Sequence, residues 1–172
     1  MGSKVTPIEA VVRGMVAGAA GTVIMDLVWY ARYRREGGTK RFLDWETAAG
    51  MDDWDNAPAP AQVGKRLVEG LLQRELKPDK ARVTTNVVHW AYGMAWGAAY
   101  GVVAGSTKKP RTSYGLPFAA LVWSSGYVVL PPTGIYKAMR EYDATTLWKD
   151  ATAHVAFGVG AAAAFRLLAD RG

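Results

Sequence analysis

Between His89 and Gly105 a small residue returns at every fourth position. The segment reads His89-Trp-Ala-Tyr-Gly93-Met-Ala-Trp-Gly97-Ala-Ala-Tyr-Gly101-Val-Val-Ala-Gly105. On a helix a step of four comes back to nearly the same face. His89, Gly93, Gly97, Gly101 and Gly105 therefore form one smooth stripe with an imidazole at one end. In water each glycine costs a helix about 1 kcal/mol relative to alanine. A membrane reverses the argument, because helices there associate through close backbone approach and small residues permit it. The stripe predicts a transmembrane helix built to be packed against.

The apolar residues are gathered in four blocks, Val11–Tyr30, Val87–Ala104, Leu116–Leu130 and Ala151–Leu168. A spanning helix needs about 20 mainly apolar residues. The pattern predicts an all-α, polytopic membrane protein with four transmembrane helices and glycine-rich packing faces. The expected helices cover about 7–34, 80–105, 114–131 and 144–169 of a single membrane domain, 1–172. A soluble Ala/Gly-rich bundle is the alternative. The formal charge of +6 fits basic residues flanking membrane helices. No basic stripe interleaved with aromatics points to nucleic acid. With no cysteine, disulfides and thiolate metal sites are excluded.

The first helix carries its own ladder of four, Gly14, Gly18, Thr22 and Asp26. A carboxylate so placed is expensive in lipid and should face protein. Arg13 and Arg166, near the opposite helix ends, are expected to snorkel to headgroups. Residues 35–79 form the one long connection. Within it, Asp52-Asp53-Trp54-Asp55 lacks the ligand spacing of a calcium loop and reads as a solvated turn. Residues 61–76 place Val63, Leu67, Leu71, Leu72 and Leu76 on one side, as an amphipathic helix lying on the membrane surface or the bundle's end would. Asp79 is the expected cap of the second spanning helix, and Asp143 that of the fourth.

Helices one and three run one way, two and four the other. Asp26 near the end of one helix and His89 and His154 near the beginnings of two others thus lie at similar depth, on the long-loop side. Each sits on its helix's small-residue stripe. Asp150 stands one turn above His154. These four residues are the candidate ligand or proton site. The plainer reading is that the histidines tie helices together by hydrogen bonds, worth about 1 kcal/mol each. Two facing histidines could instead hold a haem axially, and two histidines with a carboxylate suit a divalent metal. The identity of any metal stays open. Trp29, Tyr30, Trp90, Tyr92, Tyr127, Tyr136 and Trp148 cluster on the same side, as an interfacial belt or as walls of a pocket.

The fourth helix echoes the second: His154-Val-Ala-Phe-Gly158 repeats the spacing of His89-Trp-Ala-Tyr-Gly93. A weaker echo links Gly21-Thr-Val-Ile-Met-Asp26 to Gly126-Tyr-Val-Val-Leu-Pro131. Both suggest two helix pairs of one design. With Gly14-Met-Val-Ala-Gly18 and Leu130-Pro-Pro-Thr-Gly134, these segments make the chain resemble small uncharacterised bacterial inner-membrane proteins of the YagU-like kind. The resemblance implies a multi-helix bacterial inner-membrane protein and transfers no catalytic residue.

No nucleophile elbow, phosphate loop or metalloprotease motif is present, so no catalytic residue is assigned. Two functions remain open. The first is a non-enzymatic accessory or assembly subunit. It would pack with a second copy or a membrane-protein partner through the faces of Gly14, Gly18, Gly93, Gly97, Gly101, Gly105 and Gly158. The second is a ligand-, haem- or proton-handling protein centred on Asp26, His89 and His154.

Overall fold

The computed structural model describes residues 6–107 and 109–170. The described residues hold helices and turns and no strand. Helix α1 (Pro7–Arg35) starts at a capping box, in which Thr6 Oγ1 accepts the Glu9 amide while Glu9 accepts the Thr6 amide at 2.8 Å. The pair satisfies two amides that the first turn leaves free. The long connection folds into a short helix α2 (Phe42–Glu46) and the amphipathic α3 (Ala59–Leu72). Helices α4 (Ala81–Gly105), α5 (Gly115–Val129) and α6 (Ala144–Ala169) complete the bundle.

Three stretches are long and apolar enough to cross a membrane: Pro7–Arg35, Thr112–Thr133, which contains α5, and Ala144–Ala169. The expectation of four such helices is corrected at α4. That helix has 25 residues, ample length, but it carries His89, Trp90, Tyr92, Trp96, Tyr100 and four glycines. Those side chains lower its mean hydropathy. Two smaller expectations also change. Asp79 does not cap α4; a 3-10 turn over Pro78–Lys80 leads the chain straight into the helix, with Ala81 already helical. Helix α3 stops at Leu72 because Gln73 takes a left-handed conformation, φ 51°. Asp143 does cap α6, accepting the Thr146 amide at 2.9 Å.

Helix α1 lies at the centre, packed on α4 along one face and on α6 along another. Its contact with α4 is backbone to backbone. Gly14 faces Gly97 and Gly101, and Gly18 faces Gly93 and Gly97; a Cβ on Gly18 would stand 2.9 Å from the Gly97 Cα. Gly21 lies against Phe157 and Ala161 of α6. Helix α5 repeats the device, with Gly115 against Gly158. Behind the glycines, Tyr100, Phe118, Phe157 and Phe165 interlock, with ring centroids 4.8 Å apart for Tyr100 and Phe118. The outward faces carry Val12, Val16, Leu27, Val103, Leu121 and Val128, all exposed. Exposed apolar side chains along the spanning stretches are what a lipid-facing bundle presents.

Two arginines lock α1 to α6 at both ends. Arg13 donates to the Leu168 carbonyl at 3.0 Å, at the C-terminal end of α6 where the helix dipole favours a cation. Arg13, expected near the headgroups, also makes this protein contact. At the other end Arg32 donates to the Lys149 carbonyl and to Thr152 Oγ1, at 2.6 and 2.7 Å.

Candidate functional site

Asp26 is 4% exposed, and α1 turns it toward α4 on the same face as Gly18 and Thr22. A buried carboxylate needs a partner. His89 supplies it: its Nε2 lies 3.0 and 3.1 Å from the two Asp26 oxygens. The glycine contacts between α1 and α4 are what bring the two backbones close enough for this pair.

His154 does not join them. Its Nδ1 lies 2.9 Å from the Asp150 carbonyl and 3.3 Å from Asp150 Oδ1, one turn back on its own helix. Both neighbours are acceptors, so Nδ1 carries the proton and Nε2 presents a lone pair when the ring is neutral. The same Asp150 carboxylate accepts Tyr127 Oη at 2.9 Å and Trp123 Nε1 at 3.1 Å from α5. The internal echo accounts for the difference. Where α1 has Asp26, the corresponding place after α5 is Pro131, which has no carboxylate to offer. The single convergent group expected from the sequence is therefore two His–Asp pairs, one between α1 and α4 and one within α6.

Glu46 is a second carboxylate at the first pair, and sequence reasoning did not single it out. Its position is set by the folded loop. Trp45 packs against Tyr30 and Tyr33 of α1, at centroid separations of 5.4 and 6.0 Å. Tyr33 Oη accepts the Thr39 and Lys40 amides. On the other side of Glu46, the Thr47 carbonyl accepts Arg82 Nε at 2.9 Å and Asn86 Nδ2 at 3.0 Å, both from α4. Glu46 is thus held between α1 and α4, over Asp26. Ligand atoms of Asp26, Glu46 and His89 all lie within 4.8 Å of one another. Burial, and then the neighbouring Asp26 charge, raise the Glu46 carboxyl to about 7, with His89 pulling the other way. Glu46 Oε1 is buried with no hydrogen-bond partner among the described residues.

The acidic run nearby is a turn, as expected: Asp53 Oδ1 accepts the Asp55 and Asn56 amides at 2.9 and 3.1 Å.

Two cavities meet at His89. The inner one, about 460 Å³, lies among α1, α4, α5 and α6 and is roofed by Ala59, Pro60 and Val63 of α3. Its walls include Trp29, Trp96, Trp123 and Phe157, and His154 and Asp150 lie on its polar side. Arg66 of α3 donates to the Thr133 carbonyl beyond α5 and so ties the roof down. Burial, with Asp150 nearby, pushes the Tyr136 phenol up to about 12, so it stays a hydrogen-bond donor at neutral pH. The outer cavity, about 640 Å³, is lined by Asp26, Glu46, Met51, Thr85 and His89 under the long loop. Of the expected aromatic belt, Trp29, Tyr92, Tyr127 and Tyr136 face the inner cavity, whereas Trp148 is exposed. A bis-histidine haem needs an imidazole nitrogen of each ring on one iron. His89 Nε2 is turned onto Asp26 and His154 Nδ1 onto Asp150, which leaves Nε2 of His154 as the nitrogen not engaged in either pair.

Compared with known proteins, the chain matches no family model, no curated protein and no solved structure.

Proposed function

We propose that this chain is a non-enzymatic polytopic membrane protein, spanning with α1, α4, α5 and α6, that binds a small amphiphile in its inner cavity. The observation that carries the reading is the aromatic-walled space of about 460 Å³ with its few polar groups gathered around Asp150 and His154. Small-molecule sites have this build: roughly 300–1,000 Å³, mostly apolar, with a few placed polar groups. Asp150 is already engaged by Trp123, Tyr127 and His154. His154 and Tyr136, which both line the cavity, are left to meet a ligand: His154 Nε2 accepts from a hydroxyl when neutral and donates to a carboxylate when protonated, and the Tyr136 hydroxyl donates. The fitting molecule has an apolar body and one hydroxyl or carboxyl end. The α4 segment spans in this reading although its mean hydropathy is low, because its glycine face is covered by α1 and its polar groups face the cavities.

The assembly-subunit reading needs glycine surface left for a partner. Gly14, Gly18, Gly93, Gly97 and Gly101 face one another inside the chain, and Gly158 faces Gly115. That use of the faces favours the cavity reading. The likeness to YagU-like inner-membrane proteins agrees with a bacterial inner-membrane setting and rests on the short motifs alone.

Native mass spectrometry of the detergent-extracted protein tests the proposal. The wild-type chain should retain a small molecule. Gly126 lines the cavity, and its nearest neighbour to an added Cβ is Tyr136 at 3.8 Å. Gly126→Trp should fill the space and lose the molecule, whereas a tryptophan at the exposed Val103 should not. Equal retention in both variants would exclude the cavity as the binding place.

A further inference from the structure

We propose that Asp26, Glu46 and His89 form a binding site for one divalent transition-metal cation of the Zn²⁺ type, reached through the outer cavity. The proposal is independent of what occupies the inner cavity.

Three observations converge. The first is the donor set. Two carboxylates and an imidazole are ligands for a borderline divalent cation, and three protein ligands leave a position for water. The second is geometry. Ligands about 2.1 Å from a tetrahedral ion stand roughly 3.4 Å from each other. His89 Nε2 and Asp26 Oδ2 are 3.0 Å apart, and all three groups fit within 4.8 Å. Shifts of about an ångström would close the set, which side-chain rotation alone can supply.

The third observation is an unmet need. Glu46 Oε1 is buried without a hydrogen-bond partner among the described residues, beside a carboxylate whose oxygens are already directed at His89. Buried polar atoms without partners are rare enough to require an explanation, an ion among them. With both carboxylates ionised, the trio would carry one negative charge more than a protonated imidazole offsets, which a divalent cation would balance. Lys40 lines the same cavity, and its Nζ donates to the Ala49 carbonyl at 2.7 Å. The surrounding scaffold is also what a metal site requires. Asp26 and His89 project from α1 and α4, and Glu46 is fixed by Trp45 on α1 and by Thr47 bonded to Arg82 and Asn86 of α4. Rigid support of this kind fixes ligand geometry.

The test uses the full chain in detergent, stripped with a chelator and titrated with Zn²⁺ alone by calorimetry and thermal shift, then with Co²⁺ for its visible spectrum. One equivalent should bind the wild type and raise its melting temperature. Glu46→Gln and His89→Ala should each weaken binding about tenfold or more, as loss of a ligand or of its support does elsewhere. Asp53→Asn, which alters a carboxylate in the same cavity outside the trio, should bind as wild type does. If His89→Ala does not fold, Glu46→Gln against Asp53→Asn decides. No stoichiometric binding by the wild type, or unchanged binding in Glu46→Gln, would overturn the proposal.

Discussion

His89 Nε2 faces both oxygens of Asp26, at 3.0 and 3.1 Å, across a helix contact in which Gly14 and Gly18 meet Gly93, Gly97 and Gly101. The carboxylate side chain is 6% exposed and the imidazole 27%. Removing one partner of such a pair leaves the other charge buried and alone, a loss of about 3–5 kcal/mol. His89→Ala is therefore expected to destabilise the protein strongly. His89→Ala combined with Asp26→Asn should recover much of that loss, since the charge goes with its partner. Denaturation of the two single variants and the double in one detergent measures the coupling. Additive losses would show that the contact is not an energetic pair.

The glycine contact sets up a second prediction. A Cβ on Gly18 would meet the Gly97 Cα at 2.9 Å and the Gly93 carbonyl carbon at 3.1 Å, both backbone atoms that cannot rotate away. Gly18→Ala should push α1 from α4 and cost about 1–3 kcal/mol, in the range of overpacked cores. Gly70, in α3, has nothing within 4 Å of an added Cβ. Gly70→Ala should be neutral or gain about 0.5–1 kcal/mol through helix propensity. Comparing the two melting temperatures checks both. Equal behaviour would mean the tight α1–α4 approach does not limit stability.

These contacts also explain what the sequence discloses. Helices α1 and α6 are legible because each combines a long apolar stretch with a cap, Thr6 with Glu9 and Asp143 with Thr146. The Asp150–His154 pair is legible from its spacing of four. The Asp26–His89 pair could be inferred from depth, since antiparallel helices place the two at one level. Depth does not fix rotation about the helix axis, and so His154 was expected in the same group. Glu46 was hidden for a different reason. Its place depends on Tyr33 gathering the loop and on Thr47 reaching Arg82 and Asn86, contacts between segments far apart in the chain. No local pattern around Glu46 encodes them.

Glu46 gives a pH dependence with a definite sign. Its carboxyl is raised from an ordinary value of 4.5 to about 7, first by burial and then by Asp26, while His89 opposes. The folded state therefore holds a proton that the unfolded state has released, and stability falls as pH rises from about 4.5 through 7. The group is about half buried, so solvent screening reduces the effect. Relative to Glu46→Gln, the wild type should lose melting temperature between pH 5 and pH 8 in chelator. Asp26 and His89 are present in both proteins and interact with Glu46, so the difference reads the titration of the trio as altered by the Glu46 charge. A difference that stays flat with pH would place Glu46 in an unperturbed setting.

Tyr100 offers a prediction in the opposite direction. The residue is 7% exposed, packed between Phe118 and Phe165, and its hydroxyl is buried with no partner among the described residues. An unsatisfied buried hydroxyl costs about 1–3 kcal/mol. Tyr100→Phe keeps the ring contacts and removes the hydroxyl, so the variant should be more stable. A less stable variant would mean that the hydroxyl has a partner, such as a bound water.

Asp150 is the point at which α5 and α6 are joined around the inner cavity, and it separates structure from binding. Its carboxylate accepts from Trp123 and Tyr127 and lies against His154 Nδ1, so Asp150→Ala strands the two α5 donors and should destabilise the protein, while His154 Nδ1 keeps the backbone carbonyl of residue 150. His154→Phe removes only the imidazole, and the phenyl ring keeps the volume. If His154 Nε2 meets the head of a bound amphiphile, His154→Phe should lose the molecule retained by wild type with little change in melting temperature. His154→Gln, which keeps a polar end, should retain part of it. Loss of stability in His154→Phe together with full retention of the molecule would assign the histidine to the scaffold, as a tie along α6, and leave the aromatic walls alone to hold the ligand.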